Sequence, residues 1–273
     1  MALLTLTSDL GDQDYLVGAV KGCLYKNLPD LQQVDITHRL LPFNDAQAAY
    51  VVRTILQNYP AGTFHLVLAN VFHRPPERML LIRHQDQYIG IADNGLITMI
   101  LEQTPEEAIA LSMDPDRPHT ILECVETLAK GIARLNAGTP LAEIGIPAPA
   151  ISNRNPLRPL VFEDSMEGQI LYVDPFENVV VNISKDEFEA QRRKRSFKIV
   201  FRRDEIIDRI ANSYADVQEG EKLALFNAAG YLEIAINKGK AAGLFGLQLY
   251  DDQSQSQYSQ SQLYYHTVKV YFE

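Results

Sequence analysis

The chain has 273 residues, enough for one large or two moderate domains that each bury a core. Hydrophobic residues make up 46% and charged residues 22%, and the formal charge of −10 argues against a nucleic-acid surface, which needs a basic stripe. Two cysteines, Cys23 and Cys124, without a CxxC or Cys/His cluster, exclude a disulfide scaffold and a standard zinc site, and no apolar run reaches the roughly 18 residues that span a bilayer. The opening MALLTLTSDLG has no charged leader followed by an apolar core, so a reduced, cytoplasmic setting is expected.

Leu3–Thr7 reads as a buried strand ending at Ser8-Asp9, and Tyr15–Tyr25 has helical spacing that stops before Pro29. Gln33–Thr37 is a second strand and Ala46–Asn58 a second helix. Phe64–Leu68 and Arg78–His84 follow as strands, and Tyr88–Ala92 runs into Asp93-Asn94-Gly95, a strong turn signal in its own right. Thr120–Asn136 is a third helix, closed by Gly138. Strands alternating with helices predict an α/β domain with a largely parallel sheet, whose ligands gather at the carboxyl ends of the strands. Asp9, Asn70 and the Asp93-Asn94 turn occupy such positions.

The texture changes between Ile146 and Pro159, where PAPAISNRNPLRP carries four prolines and no hydrophobic period. The expected organisation is an α/β domain over 1–150, a proline-rich linker over 151–165 and a smaller all-β barrel domain over 166–273. Its strands are predicted at Gly168–Val173, Val179–Ile183, Ser196–Phe201, Lys222–Phe226, Tyr231–Ile236 and His266–Phe272. The basic run Arg192-Arg193-Lys194-Arg195 reads as a solvated surface turn, with an anion-binding patch as the alternative. DDQSQSQYSQSQ, within 251–262, predicts a mobile polar loop before the last strand.

Two passages carry the chemistry: TLTSDLGDQDYLVGAVKG near the start and YVDPFENVVVNI in the second half. Each sets short polar residues (Asp9, Asp12, Asp14; Asp174, Asn178, Asn182) against strand segments, the residue types that hold turns and that fix a sugar's hydroxyls or an adenine edge. Asp9, Asp12 and Asp14 fit helix capping, a divalent cation, or a carboxylate accepting two ribose hydroxyls, and the residues alone leave these open. His38, His65, His73, His84 and His119 are scattered without the spacing of a helical metal pair. There is no G-x-S-x-G, P-loop or G-x-G-x-x-G.

SDLG at the first strand end, VDITHRLLPFN after the second, ADNGL, DPFENVVVNI and GYLEIAINKGKAAGLFGL occur in register over roughly residues 3–250. Together they resemble the S-adenosylmethionine hydroxide adenosyltransferases, relatives of the fluorinase and chlorinase. The resemblance implies attack of hydroxide on C5′ of S-adenosylmethionine, giving adenosine and methionine, with the nucleoside as substrate and no separate cofactor or metal. It also implies homotrimers whose sites lie between one subunit's N-terminal domain and a neighbour's C-terminal domain. By position it puts the ribose-binding aspartate on Asp9 and the aromatic beside the ribose on Phe43. Asp174, Phe176 and Asn178 would hold the methionine moiety and nearby adenosine atoms, and Asn237 would lie on the adenine side.

The positions that place the water depart from the family pattern. Hydroxide-using members resemble one another in an aspartate in V-D-P-G-V-G, a following arginine and a histidine in F-H-G-R-D; here these fall on Asn70, Arg78 and Glu123. His119 lies four residues before Glu123 and is the nearest imidazole. Asn70 orients water without taking its proton, Glu123 serves as base if burial raises its pKa, and Arg78 stabilises the incoming hydroxide. The two readings are a hydrolase and a non-catalytic adenosine or S-adenosylmethionine binder; a metal-dependent hydrolase built on Asp9, Asp12 and Asp14 is a third. The short Arg83–Tyr88 connection has no room for the fluorinase's long insertion, which points away from halide use.

Overall fold

A computed structural model describes residues 2–72, 78–114, 116, 119–202, 205–247 and 266–273. The polar segment 251–262 and His73 lie outside them. The chain divides into two compact units, Met1–Pro156 and Leu157–Glu273.

In the first unit the strands are β1 (Leu3–Ser8), β2 (Gln32–Thr37), β3 (Phe64–Leu68), β4 (Met79–His84), β5 (Gln87–Ala92), β6 (Glu107–Leu111) and β7 (Ile146–Pro147), in sheet order β2-β1-β3-β5-β4-β6-β7. The helices are α1 (Leu16–Asn27), α2 (Asp45–Asn58), α3 (Leu96–Leu101) and α4 (Ile121–Asn136). Pairing is parallel from β2 through β1 and β3 to β5, as the βα alternation predicts. From β5 through β4 and β6 to β7 it is antiparallel, so the sheet is mixed. The switch comes from the Gln85-Asp86 turn, whose φ values of 46° and 61° suit the tight two-residue hairpin that turns β4 back into β5. α1 packs on α4, and Val20, Leu24, Cys124, Val125 and Leu128 join Leu4, Leu6, Leu66 and Leu81 of the sheet in one core. α2 packs on α3.

β1 and β3 are buried almost throughout, which places His65 inside the unit. His65 Nδ1 and Thr5 Oγ1 share a 2.8 Å hydrogen bond, and burial lowers the imidazole pKa from 6.5 to about 4. The folded state therefore holds His65 neutral, and the stability linked to it is present above pH 6.5 and lost as pH falls toward about 4. That window carries about 3 kcal/mol. Melting measured from pH 7.5 to 4.5 should show this slope in wild-type protein and a flatter one in His65→Gln; parallel slopes would refute it.

In the second unit β8 (Leu160–Val161), β9 (Ser165–Val173), β10 (Val179–Ser184), β11 (Phe197–Arg202), β12 (Glu205–Ile207), β13 (Lys222–Phe226), β14 (Tyr231–Ile236) and β15 (Thr267–Phe272) pair antiparallel, in order β12-β11-β15-β9-β10-β14-β13, with β8 also on β9. A bridge from Ile210 to Ala224 and contact between β12 and β13 draw the two edges together into a nearly closed barrel. Helix α5 (Lys185–Arg192) starts with a capping box, Ser184 bonding the Glu187 N–H while Glu187 returns to Ser184. It delivers Phe188 onto the rings of Phe197, Phe226 and Phe272. The basic run is only partly a solvated turn. Arg193 and Lys194 are exposed, but the guanidinium groups of Arg192 and Arg195 lie over Phe197 and Phe272 at 5.0 and 5.2 Å.

The proline-rich stretch 151–165 is held along its length. Ser152 N–H donates to Asp93 Oδ1 at 2.7 Å and Arg154 N–H to Thr98 Oγ1 at 2.9 Å in the first unit, while Leu160–Val161 pairs with β9 in the second. Among the described residues no helix is long and apolar enough to cross a membrane.

Candidate functional site

β1 and β3 run side by side and end together, so the loops after them meet. Asp9 N–H donates to Leu68 O at 3.2 Å, and Asn70 N–H donates to Asp9 Oδ2 at 2.9 Å. Asn70 adopts φ 49°, a left-handed conformation that asparagine tolerates better than most residues. Its side chain is bonded at both ends: Oδ1 accepts from Phe43 N–H at 3.0 Å, and Nδ2 donates to Asp45 Oδ1 at 2.7 Å. Below it, buried Asn94 donates to Ala69 O at 2.9 Å and Asn70 O at 3.0 Å. The Asp93-Asn94-Gly95 turn thus clamps the β3 loop.

These loops enclose a crevice of about 290 Å³ lined by Asp9, Leu10, Pro42, Phe43, Asn70, Val71, Phe72 and Ile121. Asp9 is the charged group in an otherwise largely apolar wall, and burial raises its pKa above the usual 3.8. A desolvated carboxylate of this kind gains from neutral hydroxyl donors. Phe43 stands 70% exposed at the rim with φ 62°, a flat apolar face beside the carboxylate. Asp9, Phe43 and Asn70, separate in sequence, are therefore brought into one crevice.

Asp12 and Asp14 are not. Asp14 Oδ1 accepts the Leu16 N–H at 2.8 Å at the start of α1, and Asp12 is ion-paired with Arg39 at 2.8 Å. Among the described residues no cluster of three or more His, Cys, Asp or Glu side chains is arranged to hold a metal.

Of the residues expected to place the water, only Asn70 lines the crevice. Arg78 Nε donates to Asp93 Oδ2 at 2.8 Å, and its Nη2 to Asp93 and to Ala150 O, the latter at 2.7 Å. Glu123 sits in the first turn of α4, where its N–H is capped by Thr120, and lines a different cavity of about 330 Å³ with His119 and Lys130. His119, the nearest imidazole in the sequence, therefore lies away from the crevice as well.

In the second unit Asp174 builds its own loop. Its Oδ1 accepts from Phe176 N–H at 2.9 Å and Asn178 N–H at 2.8 Å, and its Oδ2 from Asn178 Nδ2 at 3.0 Å. This turn holds Phe176 76% exposed while Asn178 is buried. Asn237 serves the far end of β14: its Nδ2 donates to Val217 O at 2.9 Å and its N–H to Glu221 O at 3.0 Å. Buried Glu233 accepts from Tyr214 Oη at 2.7 Å; burial raises the pKa of both, and the charge on Asp174 adds to each shift.

Asn94 stands in the turn expected at a strand end, whereas Asp45 and Arg154 join the site without any sequence signal. Asp45 is ion-paired with Arg154 and sits directly behind Asn70.

Comparison with known proteins shows the family of the chain. The family model of the SAM hydroxide adenosyltransferase N-terminal domain matches residues 4–145, and that of the C-terminal domain matches residues 168–254. An (R)-S-adenosyl-L-methionine hydrolase of Thermus thermophilus is 27% identical over 88% of this chain and 94% of its own. The enzyme of the same name from Methanocaldococcus jannaschii is 25% identical over 92% and 94%, and a fluorinase of Actinopolyspora mzabensis 24% over 90% and 94%. The fold is that of an uncharacterized conserved protein from Thermotoga maritima, with a TM-score of 0.79 over 99% of each chain at 23% identity. With both domain models matched in order, the chain belongs to the SAM hydroxide adenosyltransferase family.

Proposed function

We propose that this protein hydrolyses S-adenosylmethionine to adenosine and L-methionine. The observation that carries the reading is the half-buried Asp9 carboxylate facing an apolar crevice beside the exposed ring of Phe43. A carboxylate accepts both hydroxyls of a ribose diol, and the ring covers the sugar. Water attacks C5′ as the C5′–S bond breaks; the bonding pair goes to sulfur, which leaves as a neutral thioether, and the water's proton passes to solvent. Because a sulfonium leaves readily, alignment of the water outweighs strong base catalysis. Asn70 keeps Asp9 and Phe43 in place; no proton transfer is assigned to Arg78 or Glu123, given their partners and positions.

The Asp174 loop would hold the amino-acid end of the substrate, with Phe176 against it, Asn178 supporting the turn, and Asn237 setting the neighbouring chain path. A homotrimer in which a neighbour's loop completes each crevice would cover the exposed rings of Phe43 and Phe176.

Incubation with S-adenosylmethionine and chromatography of the products tests the reading. Equal amounts of adenosine and methionine, well beyond one equivalent of protein, are expected, with no halogenated nucleoside in chloride or fluoride buffers. Tight adenosine binding with no product would mark a binding protein instead.

A further inference from the structure

We infer that Arg154, Asp45 and Asn70 form a positioning chain that fixes Asp9 and Phe43 for a ribose diol, so that a residue in the proline-rich segment sets the nucleoside preference of the crevice. The inference rests on the proposed ribose-binding role of Asp9.

The chain follows from which groups donate and which accept. The two ends of a carboxamide are alike in shape and opposite in hydrogen bonding. Asp45, as a carboxylate, only accepts, so it forces Nδ2 of Asn70 toward itself at 2.7 Å. Oδ1 is thereby turned to the Phe43 N–H at 3.0 Å. That bond holds an aromatic residue at φ 62°, a conformation bulky side chains seldom adopt. The main chain of Asn70 holds Asp9 Oδ2 at 2.9 Å. One residue thus holds both groups, its main chain the carboxylate and its side chain the ring, and Asp45 fixes the side chain by which it is anchored.

Asp45 is buried, and its charge is balanced by the start of α2 and by the Arg154 guanidinium. Arg154 reaches it across Gly95. Its N–H is fixed on Thr98 Oγ1 at 2.9 Å, and its stem crosses Gly95, where a Cβ would meet Arg154 Cγ at 2.6 Å. Glycine at 95 also meets the φ of +89° there. The same logic explains why position 70 carries an amide. An aspartate in that place would set two carboxylates 2.7 Å apart, and both could not stay ionised.

The test is calorimetric binding of adenosine and of 2′,3′-dideoxyadenosine, which lacks the diol. Wild-type protein should prefer adenosine by at least about 100-fold, since a site built around a hydroxyl rejects the analogue without it. In Asp45→Ala, Arg154→Met and Asn70→Asp, adenosine affinity should fall roughly 10- to 100-fold with dideoxyadenosine affinity nearly unchanged, because the groups that meet the diol have moved. The exchange Asn70→Asp with Asp45→Asn restores one donor and one acceptor and should recover most of the preference. Melting without ligand checks the fold, and Asp45→Leu, which keeps the size and removes the acceptor, replaces Asp45→Ala if the latter does not fold. Preference unchanged in the Asp45 and Arg154 variants, or an exchange no better than Asn70→Asp alone, overturns the inference while leaving the ribose reading intact. Wild-type protein that binds neither nucleoside overturns the ribose reading and this chain with it.

Discussion

Asp9→Ala should lower adenosine formation from S-adenosylmethionine at least about 100-fold while leaving the melting temperature close to that of the wild type. The two effects separate because the carboxylate sits where burial disfavours its charge. Its removal leaves the Asn70 N–H without its 2.9 Å acceptor, a loss of about 1–3 kcal/mol, and simultaneously relieves the desolvation of a charged group. The pH dependence gives the sign. The folded-state pKa of Asp9 is raised, so the ionised group costs stability above that pKa, and the cost is relieved as pH falls through it. Binding runs the other way, since a protonated acid loses acceptor capacity for the diol. The rate should therefore drop on the acid side at a pH above the usual aspartate value of 3.8. His65 destabilises the fold in the same acid range, so the contribution of Asp9 is read from the difference between wild type and Asp9→Ala. A variant within a few-fold of wild-type rate would remove Asp9 from the site.

The centre of the parallel half, β1, β3 and β5, is legible because each strand carries apolar residues and closes on short polar ones: Ser8-Asp9 at the end of β1, the Ala69-Asn70 pair after β3, DNG after β5. α3 is not legible because LITMIL is apolar apart from Thr98 and, at six residues, has no period to read. α5 escaped for the opposite reason: KDEFEAQR has a single large apolar residue, Phe188, though the Ser184-to-Glu187 spacing was a usable start signal. Asp9 and Asn70 are readable as strand-end residues, and strand ends meet by construction in such a sheet, while Phe43 comes from the family resemblance alone. Helix geometry puts Glu123 at another cavity. Ile121 faces the crevice, and a residue two positions on turns by about 200°, onto another face. Asp45 and Arg154 had no local signature at all. Asp45 looks like an ordinary first-turn acid, Arg154 like one basic residue in a linker, and only the folded chain joins them.

Asp174→Ala should lower the stability of the second unit by about 2–3 kcal/mol and product formation about 100-fold. The stability loss follows from the loop: Asn178 is buried, and both its N–H and its Nδ2 depend on the Asp174 carboxylate at 2.8 and 3.0 Å. Glu177 in the same turn holds φ 62° and takes the Ala242 N–H on its carbonyl at 2.9 Å, so loosening the turn reaches the segment after β14. A collapsed loop would abolish activity whatever Asp174 does for the ligand, and Asp174→Asn separates the two roles. It keeps an acceptor for the main-chain N–H groups, and a flip of the Asn178 amide restores the side-chain bond, so the loop survives without its charge. The lost charge has its own signal. The pKa of Tyr214 is raised by burial, by Glu233 and by Asp174, so its ionisation, followed by tyrosinate absorbance, should move to lower pH in Asp174→Asn. If activity then falls with the barrel intact, the negative charge grips the substrate's ammonium group. If activity is that of wild type while Tyr214 titrates earlier, Asp174 only shapes its loop and the amino-acid end of the substrate is held elsewhere.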